Sequence, residues 1–277
     1  MTSQYSCCIG NDIEGEGRDR SFLTFPQPQQ ELLAAIQKAI KIQQDETGSK
    51  TKLIVAIMSA GGVDMDPTGI DAIIQLWYGG QETGHGLVDV IFGHVNPSGR
   101  LPLTIHPTSY LSSISGVSNL NMTFGKQGRT YRRILSQETD ALFSFGWGLS
   151  YTQFSYSKLT ANKSSVSVTV TNIGKVAGAE VAELYFGLNN DGSALPAVKH
   201  ALAGFEKITL EPNESKVVSF AVDAEKSLTV IGPDGMRKPA TGTVTVSVGG
   251  HLPTDPRAAL PANTKHASNI VTGTFSM

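Results

Sequence analysis

A chain of 277 residues, at roughly 100–200 residues per domain, has room for two domains that each bury a core. It is 40% hydrophobic and 17% charged, with a formal net charge of −2 at pH 7, which excludes a disordered polyelectrolyte and leaves no basic stripe for nucleic acid. No window approaches the roughly 18 uninterrupted apolar residues of a membrane-spanning helix, and MTSQYSCCIG reads as neither the basic start nor the apolar core of a signal peptide.

In chain order, QYSCCI (residues 4–9) reads as a short strand ended by Gly10-Asn11-Asp12. Its Cys7 and Cys8 are adjacent and are the only cysteines, so they cannot staple distant segments or complete a zinc site, and they read as small apolar residues of a buried strand. EGEGRDR follows as a loop, because glycine disfavours helix by roughly 1 kcal/mol per residue. From Gln29 to Gln44, Leu32, Leu33, Ile36, Ala39 and Ile40 form one apolar helical face. KLIVAIMSAGG is a continuous apolar run closed by glycines, as in a strand covered on both faces of a parallel sheet, and IDAIIQLWYGG repeats it. QETGHGLVDVIFG then carries Leu87, Val88, Ile91 and Phe92 on one helical face, and NPSGRLPLTI reads as turn residues and a short strand. Alternating strands and helices over residues 1–106 argue for an α/β layer structure.

Beyond a Ser/Gly-rich segment, 107–160, expected to be a linker packed on its neighbours, the period changes. VSVTVTNIG, EVAELYFGL, KVVSFAVD and GTVTVSVGG alternate apolar and small polar residues between Gly, Pro, Asn and Asp, which favours an antiparallel β-sandwich over 161–250. The tail, 251–277, has three prolines and little periodicity, and is expected to be partly disordered.

The acidic loop after the first strand is the main chemical candidate, since ligands of α/β sheets bind beyond the carboxyl ends of strands. Glu14 and Glu16 are too close along the chain to be the two opposed carboxylates of a glycosidase, so at most one of them acts directly. On composition alone the segment reads as a solvated loop in which Arg18 or Arg20 pairs Asp19.

Glu14-Gly-Glu16-Gly-Arg18-Asp19-Arg20 resembles the Glu-x-Glu-x-x-Asp-Arg loop of glycoside hydrolase family 3, within it the plant and fungal β-xylosidase branch. LIVAIMSAGGVDM, NPSGRLP and, some forty residues on, FGWGLSYT are similar to that family's later landmarks in the same order. VSVTVTNIGKVAGAEVAELYF and LAGFEKITLEPNESKVVSFAV resemble its fibronectin type III-like module. The resemblance covers the chain to about Gly250. It implies an α/β sandwich domain, incomplete at its amino end, followed by an all-β fibronectin type III-like sandwich. It also implies hydrolysis of terminal β-linked sugars with retention, first as a β-D-xylosidase acting on xylan-derived oligosaccharides. The alternatives are β-glucosidase or α-L-arabinofuranosidase activity, or a catalytically inactive carbohydrate-associated fragment.

By the same resemblance, Glu16 is the first choice for the acid/base and Glu14 the second, with Asp19 and Arg20 supporting the loop. The nucleophilic aspartate belongs to a TIM barrel that the family carries ahead of these domains, so the chain alone is expected to be inactive. No metal or organic cofactor is implied. The location implied is extracellular or cell wall, with which the acceptor triplets at Asn121, Asn162 and Asn213 are compatible.

The remaining candidates carry less. His85, three residues after Glu82, lacks the second histidine of a zinc-protease motif, and His94 and His106 are isolated. Trp77 and Tyr78 could stack on a sugar ring, but core or interdomain packing is the stronger reading. SAGG is followed by neither the Walker lysine nor the dinucleotide glycine spacing.

Overall fold

The computed structural model describes residues 3–8, 14, 17, 20–113, 129–133, 141–188, 198–255 and 269–277. They fall into two compact units, one of Met1–Phe92 with Ile105–Ser112, the other of Gly93–Thr104 with Ser113–Met277.

The first unit is an α/β layer structure. Strands β1 (Ser3–Cys8), β2 (Leu53–Met58) and β3 (Ala72–Gln75) form a parallel sheet in the order β1-β2-β3. A parallel pair needs a long crossover, and α1 (Gln27–Thr47) supplies it between β1 and β2. Helix α1 stops at Gly48, whose left-handed φ of 65° returns its N–H to the Gln44 carbonyl. Leu33 of α1 is buried with Leu53, Val55 and Ile57 of β2 and with Phe25, Val63 and Met65, and Ile36 and Ile40 pack at the margin. The apolar face is narrower than the spacing suggests, since Leu32 and Ala39 are exposed.

The segment after β3 enters α2 (Thr83–Ile91) through a 3-10 turn, Gly80–Glu82. Its expected apolar face is not covered within the described residues: no residue of α2 is buried, and Val88 and Phe92 are exposed.

Residues 96–106 form no strand, contrary to the reading of NPSGRLPLTI. Pro97 and Pro102 have no N–H to donate to a ladder, and the backbone between them pairs locally instead. Leu101 N–H reaches the Trp147 carbonyl at 2.9 Å, and the Leu101 carbonyl accepts from Gly146 N–H at 2.8 Å. Two short helices, α3 (Thr108–Ser113) and α4 (Thr130–Arg133), lie within the segment expected to be a linker.

The β-sandwich begins at β4 (Phe154–Ala161), also inside that segment. It pairs antiparallel with β5 (Ser165–Asn172), and β5 with β8 (Ser215–Ala221), in the order β4-β5-β8. The facing sheet is β12-β11-β6-β7, from β6 (Gly178–Leu188), β7 (Ala201–Leu210), β11 (Thr243–Gly249) and β12 (Ile270–Ser276). Between β8 and β11 lie a helical turn, α5 (Ala224–Ser227), and a small ribbon of β9 (Thr229–Ile231) with β10 (Arg237–Pro239). Alternation does the sorting: Val166, Val168 and Val170 of β5 and Val244, Val246 and Val248 of β11 point into one core with Leu184 and Phe186 of β6.

The end of the tail is a strand. Ile270–Ser276 pairs in register with all of β11, from Gly249 against Ile270 to Thr243 against Ser276. The three prolines that argued against order all lie at 253–261, ahead of this strand.

Candidate active site

The carboxyl ends of the three parallel strands converge on one carboxylate, that of Glu14. It lies in the loop after β1 and is buried, with 4% of its surface exposed. The loop after β2 donates the Ala60 N–H to Oε1 at 2.6 Å. The loop after β3 supplies Tyr78, whose hydroxyl donates to the same oxygen at 2.8 Å. From the loop after β1 itself, Arg20 places Nε 2.9 Å from Oε2, with both side chains buried. Each parallel strand therefore sends one donor to Glu14, as expected where the ends of an α/β sheet build a site.

The glycines after β2 make room for the arginine. Arg20 Nη2 donates to the Gly62 carbonyl at 2.5 Å, and a Cβ on Gly61 would stand 3.3 Å from that nitrogen. Ser59 donates to the Gly61 carbonyl at 2.7 Å and accepts from Gln75 Nε2 at 3.1 Å, tying this loop to the end of β3. Two polar atoms at the site, Arg20 Nη1 and Gln75 Oε1, are buried and have no hydrogen-bond partner among the described residues.

Tyr78 reaches Glu14 from a constrained turn. Trp77 has a φ of 55°, in the left-handed region that a bulky side chain adopts only under local constraint. The Leu76 N–H is held by the Ile57 carbonyl at 2.8 Å. Gly79 follows, where a Cβ would lie 2.5 Å from Thr83 Oγ1. The two glycines thus let the chain turn directly into α2, and the tyrosine is left facing back over the strand ends.

Of the residues singled out in the sequence, Glu14 and Arg20 are brought together here, while Glu16 and Asp19 lie outside the described residues, as does Asn121. Arg20 pairs with Glu14; the pairing of Arg18 or Arg20 with Asp19 expected from composition rests on Asp19, outside the described residues. Tyr78 joins the site through its hydroxyl, with its ring partly exposed, rather than through core packing. Sequence reasoning gave neither this bond nor the Ala60 N–H, because a backbone donor leaves no residue signature. His85 stays on the surface, 2.8 Å from Glu82, and His106 stacks on Tyr110. Among the described residues there is no group of three or more His, Cys, Asp or Glu placed to hold a metal ion, and no helix long and apolar enough to cross a membrane.

All donors to Glu14 are of the kind that an ionised carboxylate accepts, two on Oε1 and a guanidinium on Oε2. Such a group is an anchor: it fixes the loop after β1 against the loops after β2 and β3.

Residues 5–151 match the model of the glycosyl hydrolase family 3 C-terminal domain, and residues 180–251 that of a fibronectin type III-like domain. The thermostable beta-glucosidase B of Acetivibrio thermocellus is 32% identical over 231 residues, covering 78% of this chain and 29% of that protein. A beta-xylosidase of Formosa agariphila is 34% identical over 249 residues, covering 85% and 32%. Among solved structures, a beta-glucosidase from Kluyveromyces marxianus superposes with a TM-score of 0.77 at 26% identity, over 100% of this chain and 31% of its own. The chain thus spans less than a third of the length of these relatives.

Proposed function

Because the chain belongs to glycosyl hydrolase family 3, carrying its C-terminal domain and a fibronectin type III-like domain, we propose that it contributes the acid/base half of a retaining exo-β-glycosidase. Glu16 is the acid/base in this reading. The observation that supports it is the immobilisation of Glu14 by Ala60, Tyr78 and Arg20, which favours reading Glu14 as the anchor of the loop and leaves the chemistry to Glu16. An alkoxide is a poor leaving group, so Glu16 first protonates the glycosidic oxygen and then, as carboxylate, takes a proton from the water that releases the sugar. The nucleophilic carboxylate comes from a barrel segment of the full-length protein, and no metal or organic cofactor takes part. Arg20 and Asp19 support the loop.

The substrate class is a terminal β-linked glucoside or xyloside. Relatives named beta-glucosidase and beta-xylosidase match this chain at similar identity, which supports both specificities. The reading extends to an exported enzyme, with which the acceptor triplets at Asn162 and Asn213 are compatible.

The test is kinetic, on the full-length protein with aryl β-glucosides and β-xylosides. Glu16→Gln is expected to lower kcat/KM, which reports the glycosylation step, by on the order of 10²–10⁴ on a poorly activated leaving group, with a much smaller loss in kcat/KM on a dinitrophenyl leaving group that needs no protonation. If Glu16→Gln leaves the rate intact, or the loss is the same for both leaving groups, Glu16 is not the acid/base.

A further inference from the structure

The NPSGRLP and FGWGLSYT segments carry much of the family resemblance, yet nothing in the proposed reaction uses them. In the second unit they meet each other. Asn96 Oδ1 accepts from Tyr151 N–H at 2.7 Å and from Ser150 Oγ at 3.1 Å, beside the Leu101 bonds to Gly146 and Trp147. Arg100 then reaches from this clamp into the sandwich, where Nη2 donates to Glu180 Oε2 of β6 at 2.6 Å. Glu180 is fully buried, and its other oxygen accepts from Tyr156 Oη at 3.0 Å and Asn269 Nδ2 at 3.1 Å.

Beside this ion pair lies a cavity of about 20 Å³ whose lining includes Arg100, Trp147, Thr152, Glu180, His251 and Asn269. Four buried atoms of these side chains have no hydrogen-bond partner among the described residues: Arg100 Nε and Nη1, His251 Nε2 and Asn269 Oδ1. Their polarities can be assigned. Both arginine atoms are donors. His251 Nδ1 lies 3.0 Å from the Leu252 carbonyl, which can only accept, so Nδ1 carries the proton. Burial disfavours the charged ring, and Nε2 is then an acceptor. Asn269 uses its amide nitrogen on Glu180, leaving Oδ1 as the second acceptor.

The Nε–H and the Nη1 protons of a planar guanidinium diverge, so one of them reaches any single point. One arginine donor and two acceptors around one small cavity fit a single water molecule, which accepts from the arginine and donates both of its hydrogens. A halide would face two lone pairs, and a metal cation would face a guanidinium. A cavity needs roughly 10–15 Å³ of this kind of volume to hold a water, which this one exceeds. We propose that the cavity is a binding site for one ordered water, accepting from Arg100 and donating to His251 and Asn269. The water fastens the Asn96–Arg100 segment to the chain just after β11 and just before β12, giving the two landmark motifs a structural task within this unit.

A crystal structure of the chain at atomic resolution, with a second crystal soaked in bromide, tests this directly. The expected result is an ordered peak within about 2.7–3.2 Å of atoms from Arg100, His251 and Asn269, with no anomalous bromide signal. A bromide peak, a protein atom filling the position, or an empty cavity overturns the proposal. In His251→Phe the peak is expected to disappear or lose occupancy, and an unchanged peak overturns the assignment of His251 as acceptor. The wild-type crystals decide the question even if that variant does not fold.

Discussion

The Tyr185 hydroxyl donates a 2.6 Å hydrogen bond to Oε2 of Glu183, two residues earlier on the same face of β6. Gly146 closes the space above the pair. Burial is the main reason that the Glu183 carboxyl is pushed up to about 7; the Tyr185 bond and the charge of Arg100 oppose the rise, and Glu180 adds to it. A glutamate in the unfolded chain titrates near 4.5, so between about pH 4.5 and 7 the folded chain holds a proton that the unfolded chain has lost. Stability from this group is therefore full below pH 4.5 and is lost as pH rises through 7, by on the order of 3 kcal/mol. Glu183→Gln is expected to flatten this slope and to stabilise the second unit above pH 7. Urea midpoints of both proteins at several pH values check it, and parallel slopes would refute the assignment.

Gly146→Ala tests the fit over the same pair. Gly146 has a φ of 78°, and a Cβ there would lie 2.5 Å from Glu183 Oε2 and 2.9 Å from Tyr185 Oη. Left-handed backbone costs an L-residue roughly 1–2 kcal/mol, to which the clash adds. Gly235→Ala is the control, because its φ is 77° with no atom within 4 Å of the added Cβ. The expected result is a clearly larger fall in unfolding midpoint for Gly146→Ala, and equal falls would show that the pair yields without cost.

The buried ion pair of the first unit is expected to behave asymmetrically. Arg20→Met leaves Glu14 buried with its charge opposed only by Ala60 and Tyr78, and breaking a buried pair from one side costs about 3–5 kcal/mol. Glu14→Gln combined with Arg20→Met removes both charges and is expected to recover a good part of that loss. A double-mutant cycle on thermal or urea unfolding measures the coupling, and simple additivity would mean that the two residues do not act as a pair.

How far the sequence carried these sites follows from the kind of interaction involved. Continuous apolar runs and period-two alternation mark the sheets, because burial is read by residue type; LIVAIM and SVSVTVTN became β2 and β5 as their patterns imply. Glu14 and Arg20 were visible as residues but not as partners, since the contact depends on where the glycines after β2 let the arginine run. The Tyr78 bond spans 64 positions, and only the parallel order of the strands brings its two loops together. The final strand, IVTGTFS, carries little apolar signal of its own and follows three prolines, so its pairing with β11 is not legible from residue type.

Tyr78 separates two uses of one side chain. Stacking on a sugar needs the ring, whereas holding Glu14 needs the hydroxyl. Tyr78→Phe removes one of the two donors to Glu14 Oε1 and leaves the Ala60 N–H in place, so a loss of about 1–2 kcal/mol in the stability of the first unit is expected. Tyr78→Ala adds the loss of ring packing. In the full-length protein, anchoring through the hydroxyl predicts that Phe lowers kcat with little change in KM, because the loop carrying Glu16 loses its brace while the sugar contacts remain. Stacking predicts the reverse: Phe behaves as wild type and Ala raises KM. Steady-state kinetics of the two variants, read beside their unfolding midpoints, decide between them, and wild-type stability and kcat in Tyr78→Phe would remove the hydroxyl from the site.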